Sequence, residues 1–248
     1  MLRSKISLFG LACGVALLAL TPAYGTIIDG SQLHIAGDAD VGANFLNWLC
    51  DQPGDTTCPV MNHGDYSVTS STGSFAQYNG SFGLISNIND ASQPLNTVFS
   101  DPNFMTFDLN GNETIELTFI PLGTDTVSPD CVGLTHCTPS NPALITANDP
   151  GGVSPFNLDQ NSLGTAANFA VEGFVHDSNG QIGILTGIFS AEFVGKNPAQ
   201  VLAQILTGNG ESTYSANFVV ALAPEPMTLA LMGSGLLAIG LITRRRKK

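Results

Sequence analysis

Between residues 26 and 223 the chain has no arginine and a single lysine, Lys196, against 19 acidic residues, a local charge of −18. Neutralising phosphates takes a Lys/Arg surface, so this stretch excludes nucleic acid as a partner. Without arginine it also lacks the bidentate fork that clamps anionic substrates. Recognisable catalytic patterns are missing as well: there is no Gly-x-Ser-x-Gly, no phosphate-binding loop and no His-Glu-x-x-His. Tryptophan occurs once, at Trp48, and charged residues make up only 11% of the 248. This balance argues against a cytosolic enzyme.

What is present is concentrated at the two ends. Arg3 and Lys5 precede an apolar run from Ile6 to Leu20, and small residues follow at Ala23 and Gly25. A positive segment, an apolar core and a small-residue cleavage site read as a secretory signal peptide over residues 1–25, exposed to the Sec translocon and to signal peptidase. Fifteen residues interrupted by Ser7, Gly10 and Gly14 are short for a membrane span. Lipidation at Cys13 is disfavoured by Gly10, three residues ahead, where a large aliphatic residue is expected. At the other end, residues 227–243 read MTLALMGSGLLAIGLIT, uncharged, and are followed by Arg244, Arg245, Arg246, Lys247 and Lys248. A helix of that length is roughly 25 Å long, enough to cross a bilayer core. The basic cluster acts as a cytoplasmic stop and leaves residues 26–223 outside, the orientation that the signal peptide also requires.

Directly before this helix stands Pro224-Glu225-Pro226. Pro-Glu-Pro, a short transmembrane stretch and an Arg-rich tail at the chain end together resemble the PEP-CTERM sorting signal of Gram-negative bacteria, over residues 224–248. The resemblance implies handling by an exosortase, a membrane protease that cuts near the motif. It also implies transient anchoring in the inner membrane, then release to the cell surface or extracellular matrix, and an association with exopolysaccharide. Two prolines keep the helix from extending back through the motif and leave an extended segment for a protease cleft. The segments GSQLHIAGDADVGANFLNWL, TGSFAQYNGSFG, TGIFSAEFVGKNPAQVLAQILTG and TYSANFVV are also similar to a recurrent group of such exported proteins, one that brings no known active site.

The 198 residues of the exported stretch suffice for one domain. Residues 83–88, 114–120, 168–175, 184–194 and 212–222 alternate at period 2 or are rich in β-branched and aromatic residues, with turn formers between them. In 114–120, Ile115, Leu117 and Phe119 would face inward. The expected class is mostly β, an antiparallel β-sandwich or jelly roll. One short helix interrupts it near 198–207, with Asn197 as N-cap, Pro198 at N1, Gly208 past the end and an apolar stripe of Val201, Leu202, Ile205 and Leu206. That helix is expected to cover an open end of the sandwich.

Four cysteines, Cys50, Cys58, Cys131 and Cys137, occupy the exported stretch, and an oxidising compartment favours two disulfides. Three connectivities exist, and the local pairs Cys50–Cys58 and Cys131–Cys137 are preferred. Cys58-x4-His63 and Cys131-x4-His136 share a spacing that could make a Cys2His2 zinc site. That site would leave Cys50 and Cys137 over, so no metal and no cofactor is assigned. His34 and His176 read as ordinary strand residues. Asp177-Ser178-Asn179-Gly180-Gln181 resembles the start of a calcium loop but lacks its later ligands, and Asn-Gly marks a hairpin turn instead. Asp38 with Asp40, or Asp51 with Asp55, could bind calcium weakly.

The expectation that follows is an exported, non-enzymatic surface or matrix protein. Its main rival is a carbohydrate-binding module for exopolysaccharide, with Trp48, Tyr66 and Tyr78 as aromatic platforms or else as core. A secreted glycosidase, which needs two carboxylates about 5–9 Å apart, stands third.

Overall fold

The computed structural model describes residues 27–42, 45–50, 62–89, 91–108, 113–140, 152–208 and 210–222. In chain order these form β1 (Gln32–Val41), β2 (Phe45–Trp48), β3 (His63–Ser71), a 3-10 turn (Gly73–Tyr78), β4 (Phe82–Ser86), β5 (Ile88–Asn89), β6 (Asp101–Phe107) and β7 (Thr114–Phe119). The series continues with β8 (Val127–Ser128), β9 (His136–Pro139), β10 (Asn157–Gln160), β11 (Gly164–His176), β12 (Ile182–Val194), the helix α1 (Pro198–Leu206) and β13 (Gly210–Leu222).

Alternation along the long strands sets which face is buried. In β1, Leu33, Ile35, Ala39 and Val41 point inward, with His34, Asp38 and Asp40 on the other face. In β12, Leu185, Phe189, Ala191 and Phe193 point inward. Ile115 and Leu117 of β7 are buried as their spacing implied, while Phe119 at its end is half-buried. Pairing runs β12–β13–β1–β3–β4–β6–β7–β11, antiparallel throughout, and β11 pairs back onto β12. Eight strands therefore close into a barrel-like ring. Among the described residues the mostly β class with one short helix matches the sequence expectation. The arrangement differs from the expected two packed sheets, because β7 and β12 both pair with β11 and the ring has no free edge there. Closure satisfies backbone groups that an open sheet would leave unpaired.

Large aromatic rings fill the ring's interior. Phe189 stacks on Phe169 at 5.0 Å between centroids and meets Trp48 at 4.9 Å, while Trp48 meets Tyr214 at 4.5 Å. Room for these rings comes from glycines directly opposite them: Gly37 faces Tyr214, Gly83 faces Tyr66 and Gly187 faces Phe218 in the ladder. A Cβ at any of the three would fall within 2.8 Å of the facing ring. Each ring thus lies over a glycine of the neighbouring strand, a pairing that restores the surface which glycine gives up. A void between Val41, Leu46, Phe156 and Ala167 is only about 10 Å³ and does not exceed the room of one water.

β11 has two partners on one edge. Its C-terminal half, Glu172–His176, pairs with β7, and its N-terminal part, 165–168, pairs with β10. The register shifts between Glu172 and Gly173, where a Cβ would stand 2.0 Å from the Glu116 carbonyl oxygen, so only glycine permits the approach. Through β10 the sheet runs on to β9 and β8, an extension outside the ring. Helix α1 starts with the expected cap: Asn197 accepts from Gln200 N–H, and Gln200 returns the bond to Asn197 N–H. Its buried face, Pro198, Val201, Leu202 and Ile205, packs against β13 and the β9–β10 extension, with Leu206 half-buried.

No helix among the described residues is long and apolar enough to cross a membrane. The expected signal peptide (1–25), the sorting motif Pro224, Glu225 and Pro226, the helix 227–243 and the tail Arg244–Lys248 lie outside the described residues.

Candidate functional site

Two polar groupings among the described residues are candidates for a site. The first is a cleft of about 410 Å³ at the end of β3 and β4, lined by Asn47, Asn62, Asn87, Asn89, Gln93 and Asp101 among others. Neutral amides dominate it because the segments that meet here, 47–48, 86–89 and 92–93, are loop and strand ends rich in Asn and Ser. Much of the lining is already ordered: Asn87 Oδ1 accepts from Trp48 N–H (2.9 Å), and Gln93 Nε2 donates to Asp101 Oδ2 (3.0 Å). Among the described residues its one lining carboxylate is Asp101, which is thus tied to an amide.

The second lies on the extension. Asp159 of β10 stands directly opposite His136 of β9, and His136 Nδ1 meets Asp159 Oδ1 at 2.7 Å. Asp159 Oδ2 accepts from Asn168 Nδ2 at 2.8 Å. Asp125 reaches the same spot from the loop before β8. Its backbone N–H donates to Thr138 Oγ1 (2.9 Å) and to Asn157 Oδ1 (3.2 Å). The three side chains offer donor atoms all within 4.8 Å of one another. Asp125 Oδ2 is fully covered and finds no hydrogen-bond donor. Burial first, then the charge of Asp159, pushes the Asp125 carboxyl above its ordinary range. The bond to Asp159 raises His136.

Cys131 and Cys137 are disulfide-bonded, Cα–Cα 5.7 Å, which removes Cys131 from any Cys2His2 zinc set. Cys50 is also disulfide-bonded, to a partner outside the described residues, where Cys58 lies too. His63 meets Ser86 Oγ at 3.1 Å, and His136 sits among carboxylates. His34 bonds Asn217 directly across the β1–β13 ladder. His176 meets Glu116 Oε2 at 2.8 Å. Asp177 to Gln181 form the β11–β12 hairpin turn: Asp177 Oδ1 accepts from Asn179 N–H and Gln181 N–H, and Gly180 has φ +79°. That carboxylate is occupied by the turn itself. Asp38 and Asp40 lie on the outer face of β1, with Glu211 opposite Asp40. Asp51 and Asp55 are outside the described residues. Trp48, Tyr66 and Tyr78 are core residues, each at most 3% exposed, and provide no surface platform. Tyr66 donates to Thr106 O, and Tyr78 donates to the buried Glu113 carboxylate. Burial, and then that bond, raise Tyr78 well above the ordinary tyrosine range.

Sequence reasoning missed Asp125 and Asp159, and no local spacing marks them. Three segments spread over residues 125–159 supply the cluster, and only strand pairing joins them. No family model, no curated protein and no solved structure matches the chain.

Proposed function

We propose that the chain is an exported cell-surface or extracellular-matrix protein without catalytic activity, anchored briefly by its C-terminal helix and processed at Pro224-Glu225-Pro226 by an exosortase. The observation that carries this reading is the tripartite C-terminus: motif, 17 uncharged residues and five basic ones in order. Three structural features support it. The Cys131–Cys137 bond suits an oxidising compartment. The ring's interior is packed with side chains, leaving the outer surface as the working part. The chain enters and leaves the ring at one end, where Leu222 N–H donates to Asp29 Oδ1 (3.1 Å). Ile28, Ile182 and Leu222 are exposed there. Four residues, 223–226, span at most about 14 Å, so an anchored domain would rest that apolar end against the bilayer surface.

Mass spectrometry of the mature C-terminus tests the reading. In an exosortase-competent cell the surface form should end near residue 224. Replacing Pro224, Glu225 and Pro226 with Ala should leave export intact but hold the protein in the inner membrane. An intact Lys248 on surface protein from that host would overturn the proposal.

The amide-lined cleft favours a second reading, binding of a neutral saccharide of the exopolysaccharide, since amides and hydroxyls match sugar hydroxyls. Glycan-array binding that is lost in Asn62→Ala and Asn89→Ala would establish it, and no binding to any neutral glycan would remove it.

A further inference from the structure

We propose that Asp125, His136 and Asp159 form a site for one divalent transition-metal ion of the zinc or manganese class. Three side chains from separate segments converge, with all donor atoms within 4.8 Å. Donors around an ion bound at about 2.0–2.2 Å stand roughly 3.3 Å apart, so side-chain shifts of an ångström or so would close the set. The surroundings already hold the groups in place. Asn168 orients Asp159 through Oδ2, as an outer-shell partner does for a ligating carboxylate. Thr138 and Asn157 pin the Asp125 backbone, and the Cys131–Cys137 disulfide ends one residue from His136.

Charge points the same way. Two carboxylates meet here, and among the described residues no lysine or arginine makes an ion pair. The fully covered Asp125 Oδ2, which has no donor, is the atom that a cation would satisfy. One imidazole nitrogen with two carboxylate oxygens and no sulfur selects zinc or manganese over calcium, which takes oxygen donors throughout, and over copper(I). His136 is exposed, so the outer coordination positions open to water or to a ligand from outside. This inference rests on the extension alone and is independent of the sorting signal and of the cleft.

The test uses the full chain in detergent with about 0.15 M NaCl, which suppresses diffuse cation binding to an acidic surface. Equilibrium dialysis against Zn(II) or Mn(II) should give one bound ion per chain, with Ca(II) held at least tenfold more weakly. Asp125→Asn, His136→Gln and Asp159→Asn should each weaken binding tenfold or more, while Glu211→Gln, at a separate acidic position, leaves it unchanged. Because a variant could alter the fold, the unmodified protein supplies a second measurement: Zn(II) should shift the ring resonances of His136 and leave those of His34, His63 and His176 in place. Absence of stoichiometric binding would overturn the proposal. So would binding indifferent to all three substitutions, or a zinc shift confined to another histidine.

Discussion

The eight-strand ring and the β8–β10 extension belong to one continuous sheet, yet they hold their strands by different means. In the ring, Phe189 alone meets the rings of Trp48, Phe104, Phe169, Tyr214 and Phe218, so each long strand is locked by what it buries. A one-residue slip there would carry every inward side chain to the outside. In the extension, β9 and β10 have four residues each and β8 two. Beside the buried Leu158 and Cys137, register there draws on polar bonds and a covalent one. Asn157 Oδ1 accepts from Thr124 N–H, Asp125 N–H and Thr138 Oγ1, and Cys131–Cys137 closes the loop entering β9. A region held by apolar burial leaves few polar side chains to spare for chemistry. A region held by polar contacts brings them together at the surface.

Four experiments break or sharpen this contrast. Phe189→Ala removes the ring that touches most others and should cost about 3–5 kcal/mol of stability, read from the denaturant midpoint at unchanged slope. Cys131→Ser with Cys137→Ser should cost about 2–3 kcal/mol on the loop-closure account. Its signature is regional: amide exchange should accelerate in residues 124–139 and stay slow in β12 and β13. Gly187→Val drives a side chain into Phe218 and should cost about 1–3 kcal/mol. Combining it with Phe218→Ala should be less damaging than the sum of the two, which a double-mutant cycle measures. The smallest effect concerns pH. Ser100 Oγ donates to Glu116, and His176 meets its other oxygen; against the opposing effect of burial, these bonds hold the Glu116 carboxyl below its ordinary value of 4.5. Its folded-state pKa is depressed, so the stability it adds is present above pH 4.5 and is lost as pH falls through the lower folded value. Glu116→Gln should remove that acid-side loss, worth below about 1 kcal/mol for a pair at the surface. An unchanged slope of stability against pH between 3 and 5 would contradict it.

Where sequence and structure coincide, the deciding physics is local. The long alternating runs over 168–175, 184–194 and 212–222 are the cores of β11, β12 and β13, because thirteen-residue strands leave little ambiguity in a period of two. Helix α1 was legible from Asn197, Pro198 and Gly208, since a cap is chemistry between residues three apart. The turn at Asp177–Gln181 and the Cys131–Cys137 link are likewise short-range. β1, β3 and β6 were not legible, because Gly, Asp and Ser in β1 and β3, and Asp, Pro and Asn in β6, interrupt their apolar pattern, and only the facing ring of Tyr214 makes Gly37 of β1 an inward position.

By itself, then, the sequence determined the antiparallel β class, the short helix at 198–206 and the Cys131–Cys137 link, along with the expectation of export that its two ends carry. Each of these follows from periodicity, composition or contacts a few residues long. Only the tertiary structure decided that the sheet closes, since β1 pairs with β13 and β7 with β11 across wide separations that no local pattern encodes. It alone decided that Trp48, Tyr66 and Tyr78 fill a core instead of facing solvent. It alone brought Asp125 and Asp159 to His136, because side chains from a loop and two strands share a place only once the ladders between them have formed.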